Sequence, residues 1–295
     1  MNDYGRIHEL WTQHDYMGVV STAWQLPATE NYPYLRSVIR LHDFTLSELV
    51  SRACQQAVSR AVSQQGAQTS HDRAIRWVAD LLHDFPPPAA LVDHSDGVET
   101  EAFRSHMIQA HLLCTHIALH LQHEEREANA GDTNVVSDAV FDAQVCERVS
   151  HHCGQIAQET DLPLAFFRDL LYSLLPESKD PHRLPLSATA VSLTALLVSK
   201  TQRQGIVATL SLEPRSGGNG LCYPTPDLAF VRRDRTFREA EHNACTYVKD
   251  AGLWKADHDV RWRVKRCDGQ PITTLTGSSM GFAFALGLAK LFTAE

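Results

Sequence analysis

The chain has 295 residues, 43% of them apolar and 21% charged, with a formal net charge of −8. That composition describes a globular protein of one large or two ordinary domains, and the acid excess excludes a dedicated nucleic-acid binder, which needs clustered cationic charge against phosphates. No apolar run approaches the roughly 18 residues that span a bilayer, and the start MNDYGRIHEL has neither a basic segment nor an apolar signal core, so a cytoplasmic protein without membrane contact is expected.

Residues 1–180 read as helical. Apolar residues recurring every three or four positions predict helices over 4–24, 44–64, 71–84, 99–127, 136–160 and 163–175. Pro86-Pro87-Pro88 and Asn129-Ala130-Gly131-Asp132 break the pattern between them. In 99–127, Phe103, Met107, Ala110, Cys114, Ile117 and Leu121 form a core-facing stripe, and His116, His120, His123 and Glu127 fall opposite. His116 and His120 are an i, i+4 pair, and His151-His152-Cys153 lies on a later helix, so a metal site in a helical bundle is one reading. The plainer reading is solvated histidines, because the candidate ligands face away from the stripe and no Glu-x-x-His pair occurs; no metal or cofactor is assigned. The seven Cys include no C-x-x-C pair, and Cys54, Cys114, Cys146 and Cys245 sit in helical patterns that predict buried thiols.

Two prolines and four intervening polar residues, Pro176 to Pro181, mark a boundary. It divides an all-helical domain, 1–180, from a second domain, 181–295. Beyond it the period becomes two. Strands are predicted over 193–199 and 206–213, with Ile206, Ala208, Leu210 and Leu212 on one face. Ser216-Gly217-Gly218-Asn219-Gly220 is a turn, not a phosphate loop, since it lacks the Gly-Lys-Ser/Thr ending. A third strand begins near Leu221. Thr236-Phe237-Arg238-Glu239 reads as a capping-box helix start, and Gly252 as the helix stop. In the following strand, 259–265, Trp262 and Val264 face one way, and Arg261, Arg263 and Lys265 face a solvated side.

The most informative stretch is Gly277-Ser278-Ser279-Met280-Gly281. It follows a short strand signal at 272–275 and leads into an almost wholly apolar helix, 282–292. A serine on a tight turn at a helix start has unpaired first-turn N–H groups beside it, which can stabilise an oxyanion. The stretch is not the nucleophile elbow of an α/β-hydrolase, whose acid and histidine come later in the chain; the helix after Ser279 contains no histidine. The alternative role for Ser279 is a helix N-cap.

From Gly205 to Phe292 the order of features resembles the proteolytic domain of Lon-like serine peptidases. The similarity runs through the strand ending at Glu213, the turn Gly217 to Gly220, the helix containing Glu239-Ala240, Ala244 and Tyr247-Val248, the strand 259–264, and Gly277-Ser278-Ser279-Met280-Gly281 in place of the family's Gly-Pro-Ser-Ala-Gly. The resemblance implies an α+β fold for this third of the chain and Ser279 as the nucleophile position, with Gly277, Ser278, Met280 and Gly281 forming the oxyanion turn. The family's base is a lysine some tens of residues beyond the serine, and that position falls past Glu295, so the Lon-like domain is expected to be incomplete. Lys290, on the same helix as Ser279, lies about 16 Å further along it and cannot be that base. Lys200, Lys249, Lys255 and Lys265 precede the serine.

Three functional readings follow. The first is a non-catalytic or incomplete Lon-peptidase-like protein acting as a regulatory or interaction module, with a protein partner or a second copy covering the apolar C-terminal helix. The second is a serine hydrolase or peptidase using Ser279 and a base from another residue or subunit. The third is a helical metal-binding protein.

Overall fold

The computed structural model describes residues 3–25, 46–63, 68–85, 101–130, 138–160, 162–175, 190–199, 204–228, 231–270, 272 and 274–293. The chain divides into two compact units, Met1–Arg183 and Leu184–Glu295. The first is helical and the second combines a sheet with helices, a mixed α+β fold with a helical N-terminal region.

The first unit contains α1 (Asp3–Thr12), α2 (Tyr16–Gln25), α3 (Leu46–Ser63), α4 (Gln68–His83), α5 (Glu101–Ala130), α6 (Asp138–Thr160) and α7 (Leu164–Leu174). The single helix expected over 4–24 is two. His14 takes a positive φ of 55°, and the Asp15 N–H donates to the Leu10 carbonyl at 2.8 Å, a left-handed stop of the kind that closes helices. The Asp15 carboxylate then accepts the Gly18 N–H at 3.2 Å and starts the next helix. The long helix α5 is the centre of the bundle and packs on α3, α4, α6 and α7. Its core stripe is present at Met107, Ala110, Cys114, Ile117 and Leu121, but Ile108, Leu112, Ala118 and Leu119 are buried as well. A helix surrounded by four others needs more than one apolar face, which a single-stripe reading underestimates. Cys54 and Cys114 are buried thiols as expected, whereas Cys146 is exposed and Cys153 is buried in its place.

The second unit contains β1 (Val191–Ser199), β2 (Gln204–Ser216), β3 (Cys222–Pro224), β4 (Arg232–Arg233), α8 (Arg235–Asp250), β5 (His258–Arg266), β6 (Thr274–Leu275) and α9 (Gly281–Thr293). The sheet order is β1-β2-β5-β3, and β4 pairs with β6 separately. β1 with β2 and β2 with β5 are antiparallel, and β3 with β5 is parallel. One side of the sheet, Ala208, Leu210 and Leu212 of β2 with Val260, Trp262 and Val264 of β5, packs against Phe237 and Val248 of α8 and Phe284 and Leu288 of α9. Burying such side chains contributes about 1.5–3 kcal/mol each.

Two glycines set the spacing of this core. A Cβ at Gly287 would overlap Leu212 Cδ1 and lie 2.8 Å from Leu193 Cδ1, so its absence lets α9 lie close on the sheet. At Gly218 a Cβ would collide with the Asp259 backbone nitrogen. The turn around Gly218 is organised by Asp259, whose Oδ1 accepts the Asn219 and Leu221 N–H groups, each at 2.8 Å.

Two details differ from the sequence reading. The α8 cap is Asp234, whose side chain accepts the Phe237 N–H, and Glu239 pairs with Arg235 at 2.6 Å instead of closing a box with Thr236. Arg261 is 4% exposed rather than solvated. It stands directly opposite Glu213 in the β2–β5 ladder and its guanidinium binds that carboxylate through Nε at 3.1 Å and through Nη2. Direct cross-strand opposition of unlike charges offsets the cost of burying both.

Candidate functional site

The serine turn is assembled around one carboxylate. β6 pairs in parallel with β4, Arg233 opposite Leu275, and the Asp234 N–H extends this by donating to the Leu275 carbonyl at 3.1 Å. The Asp234 side chain then serves two elements at once. It accepts the Phe237 N–H at 2.8 Å, capping α8, and the Gly277 N–H at 3.1 Å to each oxygen, fixing the start of the turn. Gly277 has φ +81°, a conformation that favours glycine. The chain next makes a tight turn in which the Gly281 N–H donates to the Ser278 carbonyl at 3.0 Å, and α9 begins with the Phe284 N–H on the Met280 carbonyl at 2.9 Å. At Gly281 a Cβ would lie 3.2 Å from the Ala240 Cβ, so glycine lets the first turn of α9 sit against α8.

The five turn residues thus take distinct roles. Met280 is buried in the core, Gly277 and Gly281 shape the backbone, and Ser278 and Ser279 are exposed. Among the described residues no side chain hydrogen-bonds the Ser279 hydroxyl, and that hydroxyl accepts no N–H of α9, so the capping role is not filled by Ser279. No backbone carbonyl of the described residues accepts the N–H groups of Phe282 and Ala283, as expected for a helix start. The turn offers donors for an oxyanion and an open hydroxyl, but no amine or imidazole of the described residues reaches that hydroxyl. A serine hydroxyl without an adjacent base is a weak nucleophile. Lys290 is exposed near the opposite end of α9, and Lys249 lies over the Trp254 ring at 5.0 Å. Lys200 lies outside the described residues.

Beneath the turn lies a buried polar group that the sequence reading missed. Phe284 packs against Trp262 at 5.4 Å and Phe237 at 6.0 Å. The Trp262 Nε1–H donates to Glu241 Oε1 at 2.6 Å, and Arg233 Nη1 stands 3.9 Å from Glu241 Oε2. Burial pushes the Glu241 carboxyl above the usual carboxylate range, and Arg233 and the Trp262 bond pull partly back. Position on the inward face of α8, beside Phe237 and Ala244, was the available signal.

In the first unit, the cluster of His116, His120, His151, His152 and Cys153 does not assemble as one. Cys153 is fully buried beside Cys114, whose thiol donates to the Phe167 carbonyl and is pushed well above its usual range by the neighbouring Cys153 and by burial. His151 and His152 are exposed. Adjacent helical positions differ by about 100° in direction, which separates the inward thiol from the outward rings. His116 and His120 do meet, with their Nε2 atoms 3.2 Å apart. Burial, and for His116 the neighbouring His120 and His152, lower the proton affinity of this pair. Both rings are half-buried rather than solvated. Among the described residues no group of three or more His, Cys, Asp or Glu is placed to hold a metal ion.

No described helix is long and apolar enough to cross a membrane. No protein-family model matches the chain, and no curated protein matches it.

Proposed function

We propose that the second unit is a non-catalytic, Lon-peptidase-like module that acts through contacts with another protein or a second copy of itself. The observation that carries this reading is the Ser279 hydroxyl, exposed on an oxyanion-competent turn yet without a base among the described residues. The outer side of α9 supplies a contact surface. Phe282 is 78% and Leu286 44% exposed, one helical turn apart on the same face. A contiguous exposed apolar patch is a feature of contact surfaces. The net charge of −8 and the engagement of Arg261 by Glu213 favour a protein partner over nucleic acid.

A serine hydrolase remains the second reading, supported by the open hydroxyl beside unaccepted amide groups. Turnover decides between the two. The purified full chain is assayed with activated esters and an unfolded protein substrate beside Ser279→Ala. The interaction reading predicts equal background rates for both; turnover lost in Ser279→Ala would establish the hydrolase.

A further inference from the structure

His116 and His120 sit one turn apart on α5, and their Nε2 atoms are 3.2 Å apart. Two nitrogens bound to one tetrahedral ion at the usual ~2.05 Å are about 3.3 Å apart. We infer that His116 and His120 form a two-histidine chelate for a late first-row divalent cation such as Zn²⁺, with water completing the coordination. The chemistry of the donors matches this class, because imidazole nitrogen suits zinc, copper and nickel better than magnesium or calcium. The rings are placed in advance: they meet edge to face at a centroid distance of 4.4 Å on the helix at the centre of the bundle, and their half-buried positions leave one side open to water.

Arg148, on the adjacent α6, opposes positive charge at His120, and Glu124 acts in the favourable sense; Arg148 Nη2 stands 2.6 and 2.7 Å from the two Glu124 oxygens, which offsets part of its charge. His152 on α6 is exposed and acts on His116 only through its charge. Without metal the same approach is an imidazole–imidazole hydrogen bond, one Nε2–H donating to the other lone pair. Cation binding requires the donor ring to move its proton to Nδ1, after which both Nε2 lone pairs face the ion; no proton is lost and no redox change occurs. This is a smaller site than the one suggested by sequence, which joined His116 and His120 to His151-His152-Cys153, and Cys153 has no part in it.

The test uses the full chain without a histidine tag, freed of metal with a chelator that is then removed. Zn²⁺ is titrated in competition with a chromophoric chelator. Because the chain has 16 His, the expected result is one equivalent bound distinctly more tightly than a weak background. His116→Gln and His120→Gln should each weaken that equivalent at least ~10-fold, since loss of even a supporting residue around a metal typically costs about 10–100-fold. His151→Gln should leave it unchanged. Cu²⁺ at one equivalent on the unaltered chain supplies a second measurement independent of variant folding, and its electron paramagnetic resonance spectrum should show two coupled nitrogens. Absence of a distinct equivalent, its persistence in the double variant, or a spectrum with fewer than two nitrogens would overturn the assignment.

Discussion

Replacing Asp234 with Ala removes two hydrogen-bonding services in one step. Its carboxylate accepts the Phe237 N–H at 2.8 Å as the α8 cap and the Gly277 N–H at 3.1 Å at the start of the serine turn. Loss of an N-cap costs about 1 kcal/mol. A half-buried amide left without its acceptor costs about 1–2 kcal/mol more. The second unit should therefore lose about 2–3 kcal/mol, a roughly 30- to 160-fold fall in its folded-to-unfolded ratio. Asp234→Asn, which keeps an acceptor oxygen and is an equally good cap, should lose less than half of this. Because the chain divides into two units, a single melting curve would mix two transitions. Hydrogen exchange followed by mass spectrometry separates them: peptides covering 231–240 and 274–284 should both lose protection in Asp234→Ala, and peptides of α5 should not. Loss at the start of α8 with unchanged protection at Gly277, or a total cost below about 0.5 kcal/mol, would refute the shared-carboxylate account.

Other expectations follow from the same geometry. Gly218→Ala places a methyl group on the Asp259 backbone and should cost at least about 1–3 kcal/mol in urea unfolding, the usual penalty for forced overpacking. Phe284→Ala should cost about 3–5 kcal/mol as a buried aromatic deletion, whereas Phe282→Ser, on the exposed side of the same helix, should stay within about 0.5 kcal/mol. His111 is buried and its pKa is lowered to about 4, mainly by burial. The unfolded chain then binds a proton that the folded one refuses between about pH 6.5 and 4, so stability should fall by about 3 kcal/mol as pH drops through that window, and His111→Gln should abolish that dependence in pH-resolved unfolding. Glu241 has the opposite sign. Its raised pKa makes the folded state hold a proton the unfolded state has released, so the wild-type chain should lose stability relative to Glu241→Gln as pH rises from about 4.5 through the raised folded value.

The sequence carried the class of nearly every element because the period of its apolar residues changes cleanly from three or four to two near residue 180. It carried the serine turn because glycine spacing and an apolar helix are local signals. What it hid was non-local. Asp234 reads as one more polar residue beside Arg233 and Arg235, and only the pairing of β4 with β6 brings Gly277 to it. Arg261 reads as a surface cation until the ladder sets it opposite Glu213. The split of His151-His152 from Cys153 turns on which face of α6 meets the bundle, and the single-stripe view of α5 missed that this helix is enclosed by four neighbours.

The account depends on Ser279 being an unactivated hydroxyl, and its exposed neighbour Ser278 supplies an internal reference. The full chain is treated with a fluorophosphonate, and the rate of modification at each serine is read by peptide mapping. Equal, slow modification of Ser278 and Ser279 is the predicted result; Ser279 reacting a hundredfold or more faster than Ser278 would contradict it.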